Sequence, residues 1–69
     1  MPRPLISLRL RNARISAGLT VRQLAAEAGL SHTTVVRSEM GHTTPSTATL
    51  QALSEALGVS LASLTGDAP

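Results

Sequence analysis

The sequence has no cysteine, no phenylalanine, tyrosine or tryptophan, and no lysine. Each absence closes a route. Without cysteine, neither a disulfide framework nor a cysteine-ligated zinc site can reinforce the chain. Its 69 residues make one small domain. A domain of this size buries only about 60% of the surface its unfolded form exposes, so modest stability is expected. Without aromatic rings the core must come from Leu, Val, Ile, Ala and Met. Single-strand binding, which usually stacks bases on such rings, has no platform. Long apolar runs are missing too. No segment is apolar enough to span a membrane, and Leu5-Ile6-Ser7-Leu8 meets Arg9 and Arg11 too soon to form a signal-peptide core. The expectation is a soluble, cytoplasmic single domain over residues 1–69, with an ordered core of about 4–65.

The formal charge is only +2, but it is unevenly placed. Residues 1–30 carry Arg3, Arg9, Arg11, Arg14 and Arg22 against Glu27, a net of +4. Residues 31–69 carry Arg37 against Glu39, Glu55 and Asp67, a net of −2. A basic half suits a phosphate-facing surface. A solvated helix face has the same composition, so charge alone does not decide. For Arg9 and Arg11 the two readings stand even.

Catalytic and metal chemistry find no constellation. His32 and His42 lie ten apart with no cysteine and no patterned carboxylate, so no metal site is expected. Serine and threonine are abundant, but most are explained as helix caps, and no base or acid is arranged beside any of them. No enzyme, cofactor or small-molecule ligand is implied.

What is present is regular punctuation. Gly-apolar-Ser/Thr occurs three times, as Gly18-Leu19-Thr20, Gly29-Leu30-Ser31 and Gly58-Val59-Ser60. Glycine supplies the left-handed residue that ends one helix, and the hydroxyl accepts from a free amide that opens the next. Pro45-Ser46 is a fourth start. The residue before each cap should pack on the one four places after it. The pairs are Leu19 with Leu24, Leu30 with Val35, Pro45 with Leu50 and Val59 with Leu64, all apolar. Thr20 and Gln23 have capping-box spacing. Five helices follow, over about 4–17, 21–28, 32–40, 47–57 and 61–65.

The core follows from periodicity. Ile6, Leu10, Ala13 and Ala17 share a face of the first helix, and Leu24, Ala25 and Ala28 face inward from the second. Val35, then Leu50, Leu53 and Leu57, then Leu61 and Leu64 complete it. Leu8 and Ile15, seven apart, are either a minor exposed interface or part of a broad core stripe. Helices two and three are joined by Gly29-Leu30-Ser31. Ala25 sits where they cross closely, and a larger side chain would push them apart. Small residue, glycine and apolar positions at these intervals are what a tight helix-turn-helix needs.

At this point the chain resembles the Cro/C1-type helix-turn-helix family of phage repressors, the XRE family. The matching residues are Leu10-Arg11-Asn12-Ala13-Arg14, Gly18-Leu19-Thr20, Leu24-Ala25, Gly29-Leu30-Ser31, Val35, Glu39, Gly41, Pro45-Ser46, Leu50 and Ala56-Leu57-Gly58-Val59-Ser60. The resemblance implies an all-α, compact five-helix bundle, phage-repressor-like, whose third helix enters the major groove of double-stranded DNA. Carried over by position, Ser31, His32, Thr33, Val36 and Arg37 face the bases. Arg37 can bond a guanine bidentately, while Val36 can make only apolar contact, most usefully with a thymine methyl. Thr20, Val21 and Arg22 resemble a phosphate clamp at a helix N-terminus, and Gly41, His42, Thr43 and Thr44 would meet a second phosphate. Arg14 and Glu39 align with a structural ion pair seen in some members. By analogy, Val59, Leu61 and the last helix form a homodimer interface, which places two reading helices on a palindromic site as a transcriptional repressor.

Three positions depart from the family pattern. Val21 stands where Gln or Glu is frequent, so the backbone and Arg22 must do more at the clamp. Ser38 replaces a buried aliphatic and Thr47 replaces a leucine, and a hydrogen bond between these two is expected. Two rival readings remain. A protein-interaction module without DNA binding fits neutral Val21, the missing lysines and the small net charge, but not Arg37, His32 or the basic first half. The DNA-binding piece of a longer regulator is the other.

Overall fold

Four of the five helices begin by one rule, a serine or threonine whose hydroxyl accepts from the backbone amide three residues on. In this computed structural model, which describes residues 5–66, Thr20 accepts from the Gln23 amide at 3.1 Å. Ser31 accepts from Thr34 at 3.1 Å, Ser46 from Thr49 at 3.2 Å, and Ser60 from Ser63 at 3.2 Å. Gln23 closes the capping box, its side-chain oxygen accepting from the Thr20 amide at 2.8 Å. The helices are α1 (Ile6–Ser16), α2 (Val21–Ala28), α3 (His32–Met40), α4 (Thr47–Leu57) and α5 (Leu61–Thr65). No strand occurs among the described residues.

The last four helices match expectation, and α1 is shorter than 4–17. It starts at Ile6 after Leu5, which offers no side-chain cap, and ends at Ser16 because Ala17 serves as its C-cap. Residue 4 lies outside the described residues. The glycines expected to stop helices have positive φ: +73° at Gly18, +70° at Gly29 and +70° at Gly58.

Helix α1 packs on α3 and α5, α2 on α3 and α4, and α4 on α5. The core between them is Leu10, Leu24, Ala25, Val35, Leu50, Leu53, Leu57 and Leu64. Every expected position four after a cap residue is buried, and Leu19, Leu30 and Val59 pack against the core from its edge. Ile6, Ala13, Ala28 and Leu61 do the same. Ala17 is exposed, contrary to the periodic reading, because the chain leaves the helix there. Leu8 and Ile15 are 48% and 56% exposed, so they are not part of the core.

The expected bond between Ser38 and Thr47 does not form. Ser38 is buried, and its hydroxyl donates to the Thr34 carbonyl one turn back, at 2.9 Å. Thr47 is exposed at the start of α4. The backbone satisfies the buried serine locally, so nothing draws Thr47 inward. Beside Ser38 lies an open cleft of about 220 Å3, lined by Leu5, Ile6, Ser7, Gly41, Thr43, Thr44 and Pro45. A leucine at position 38 would extend into it. Ser38→Leu is expected to raise the stability measured by urea unfolding by about 1 kcal/mol, through added apolar burial. Thr47→Leu should change it by no more than about 0.5 kcal/mol, and the two changes should add without coupling.

Candidate nucleic-acid interface

The pairing of α2 with α3 rests on small local devices. Gly29 adopts the left-handed conformation that closes α2, and the Leu30 amide donates back to the Ala25 carbonyl at 2.8 Å. The next residue, Ser31, already caps α3. Ala25, 3% exposed, is the small residue on the buried side of α2. Val35 and Ser38 form the buried side of α3.

The opposite side of α3 presents the residues expected to read bases. Ser31, His32, Thr33 and Arg37 are exposed and Val36 is half-buried. Ser31 is engaged as a cap, and its hydroxyl also lies 2.7 Å from the Thr34 hydroxyl. A hydroxyl has one donor and two acceptor positions. When Thr34 donates to it, the Ser31 proton is left for an outward acceptor. The spacing that groups Thr33, Val36 and Arg37 extends one step further to Met40, 62% exposed. The residues expected to read bases stop at Arg37, while the three- and four-residue interval continues the exposed face to Met40.

At the start of α2, the capping box uses the amides of Thr20 and Gln23. Those of Val21 and Arg22, the first two of the helix, take no part in it, and such amides favour an anion. Arg22 is exposed, and the Val21 side chain is half-buried against the core. The loop after α3 offers less backbone than expected. The Gly41 and His42 amides already donate to Ser38 and Arg37 carbonyls, at 3.3 and 3.0 Å. Thr43 and Thr44 are exposed, as is the His42 ring-bearing residue itself.

Arg14 and Glu39 are brought together as expected. Nε lies 2.6 Å from Oε2 and a terminal nitrogen 3.1 Å from Oε1. The other terminal nitrogen donates to the Leu19 carbonyl at 2.9 Å. The side chains are 15% and 7% exposed. One guanidinium thus ties α1 to the end of α3 and to the residue before the α2 cap. Arg9 and Arg11, undecided in sequence, diverge. A methyl placed on Gly66 would lie 2.9 Å from Arg9 Nε, so Arg9 packs over the end of α5. Arg11 borders an open cleft with Arg14, Val21, Val36, Glu39 and Met40. No cluster of three or more metal-ligating side chains occurs among the described residues. No helix there is long and apolar enough to cross a membrane.

The Helix-turn-helix family model of the Cro/C1 (XRE) type matches residues 10–64. The chain belongs to that helix-turn-helix family. The solution structure of the DNA-binding domain of the P22 c2 repressor is similar, with a TM-score of 0.88 and 31% identity over 97% of this chain and 90% of that one. A crystal structure of the P22 c2 repressor in complex with a synthetic operator gives 0.84 and 28%, over 91% and 96%. The restriction-modification controller protein C.AhdI from Aeromonas hydrophila gives 0.83 and 30%, over 86% and 89%. No curated protein sequence matches significantly.

The ion pair yields a stability test. Arg14→Met or Glu39→Leu alone should cost about 3 kcal/mol in urea unfolding, because each leaves a largely buried charge without its partner. The double variant Arg14→Met, Glu39→Leu should recover much of that loss. A double-variant loss equal to the sum of the two single losses would show that the pair has no net coupling.

Proposed function

We propose that this small DNA-binding transcriptional regulator acts as a dimeric repressor that reads a palindromic duplex site, with α3 lying in the major groove. The observation that carries this reading is the joint orientation of two elements. The exposed face of α3 bears His32, Thr33 and Arg37. Beside it, where Val21 and Val36 line one cleft, the α2 N-terminus holds the amides of Val21 and Arg22 outside its capping box. Base-edge donors and a phosphate-binding helix end are thereby offered to one duplex.

The roles divide by chemistry. Arg37 takes a guanine through its two acceptors, a contact worth about 1–3 kcal/mol of discrimination. Thr33 and the outward proton of Ser31 meet base edges, Val36 a methyl, and His32 a guanine or a phosphate. Thr20, Val21 and Arg22 hold one phosphate, while His42, Thr43, Thr44 and the turn at Gly41 approach another. Phosphate contacts set the register, and the α3 side chains set the sequence. The nine-residue α3 is about 13 Å long, so one copy spans few base pairs. A twofold dimer would double the reading, with the two α3 helices about 34 Å apart. Val59 and Leu61 are half-buried at the α5 end of the domain. We assign the dimer contact to them because they lie outside the α2–α3 face.

Selection from random duplexes, followed by binding at two salt concentrations, tests this reading. A palindromic motif should emerge. If a dimer neutralises about six phosphates, log K should fall with log salt at a slope near −5. With no motif and no salt dependence, a protein-interaction module would be the better reading. Arg37→Ala should relax one base position in each half-site, whereas Arg22→Ala should weaken all sites alike and make the slope shallower. Identical behaviour of the two variants would overturn the division of roles. Leu61→Glu should lower the sedimentation-derived mass at concentrations where the parent is dimeric.

A further inference from the structure

Helix α1 is apolar on two opposite sides. Ile6, Leu10 and Ala13 pack into the core, Leu10 wholly buried. Leu5 at the N-cap, Leu8 and Ile15 are instead 69%, 48% and 56% exposed. At about 100° per residue, Leu8 and Ile15 stand about 20° apart around the axis, and Leu10 about 200° from Leu8. A helix that serves only its own bundle carries polar residues on the side away from the core. Helices α2 and α4 do so, with Arg22, Gln23 and Glu27 exposed on the first and Thr47, Gln51 and Glu55 on the second. Among the described residues, the only other large apolar side chain so exposed is Met40. The outward positions of α1 run Leu5, Leu8, Asn12 and Ile15, at intervals of three, four and three. That is the seam of a helix that packs along a second helix, with one polar residue set into it.

Charge identifies what this seam fits. No acidic residue precedes Glu27 in the sequence. Arg11 is exposed on one edge of the seam, about 60° from Leu8. Arg9, which packs over the end of α5, follows on the other edge. Of the helices packed on α1, α3 brings Glu39, already bonded to Arg14, and α5 has no acidic residue. A second copy laid on this face would set arginine against arginine, and like charges across an interface disfavour a partner. We propose that the outward face of α1 docks an acidic amphipathic helix of another protein. Aliphatic side chains of that helix lie on Leu5, Leu8 and Ile15, a carboxylate meets Arg11, and a polar side chain faces Asn12. The polar position selects register, because a partner that buries it against apolar groups is penalised. Leu8 and Ile15 line neither the cleft at the start of α2 nor the one beside Ser38. This surface is therefore additional to the duplex-reading face, and the proposal does not rest on that reading.

Two labelled peptides of about 21 residues, long enough to be helical, test this. Both repeat leucine at the seam positions, with one asparagine among them. One carries glutamate and the other lysine at the flanking positions, and these like charges keep each peptide from pairing with itself. Fluorescence anisotropy with the full chain should show the glutamate peptide binding about tenfold tighter than the lysine peptide, and more weakly as salt rises. The double variant Leu8→Ala, Ile15→Ala should weaken the glutamate peptide about tenfold, through lost apolar burial. Arg11→Glu should remove most of the preference for glutamate. Circular dichroism of each variant checks that the fold is kept. Equal binding of the two peptides, binding of neither, or undiminished affinity in the alanine variant overturns the proposal. So does a fall in sedimentation-derived mass in Leu8→Glu, Ile15→Glu at concentrations where the parent is dimeric, which would make a second copy the occupant. Loss of duplex binding in the alanine variant would give the stripe to the duplex and overturn it too. Failure to select any duplex site removes the duplex-binding reading and leaves this one standing.

Discussion

Arg14 stands where three parts of the structure meet, and the interface depends on what it holds. Its guanidinium makes two bonds to Glu39 near the end of α3 and a third to the Leu19 carbonyl, one residue before the α2 cap. The planar fork has donors in fixed directions, so one side chain sets two angles at once. A lysine could supply the charge but not that geometry. The bundle's core would still bury Leu10, Leu24 and Val35 without the clasp. Burial is non-directional, though, and tolerates small rotations of one helix against another. Reading a base edge does not, because hydrogen bonds weaken steeply with angle. The clasp therefore matters to function through orientation more than through its net energy, which desolvation of both charges reduces.

Around that clasp the fold is specified by local signals that agree with one another. The hydroxyl caps at Thr20, Ser31, Ser46 and Ser60 fix where helices start, and the residue four places on is buried in each case. Such agreement between local preference and global packing is what makes an architecture readable from residues alone. It explains why α2 to α5 were legible to the residue. Helix α1 was less so because it has no hydroxyl cap, and Leu5 leaves its start to packing. Without aromatic residues the core is built from leucine, valine and alanine, whose burial follows simple periodicity.

The interface was legible as a face and less so in detail, for physical reasons. Periodicity says which way a residue points but not whether its polar atoms are already occupied. The amides of Gly41 and His42 were expected to serve a phosphate, yet they close the end of α3. Ser38 was expected to seek Thr47, yet a carbonyl one turn back was nearer. A hydroxyl that can bond its own backbone one turn back needs no partner across the bundle, and periodicity does not distinguish the two. Arg9 and Arg11 are two residues apart on a helix, about 200° around the axis. Their separation, one over α5 and the other beside α2 and α3, follows from that angle once the neighbours of α1 are known.

The low charge of the domain bears on how it would meet a duplex. A domain with a net charge of +2 and no lysine has little general attraction for a polyanion, and most non-specific affinity is electrostatic. Weak non-specific binding lowers competition from the many wrong sites on a long duplex, so discrimination can survive modest affinity. In the duplex-binding reading proposed above, a domain with few charges and with the directional donors of Arg37 and His32 exposed on α3 would therefore favour selectivity over raw affinity.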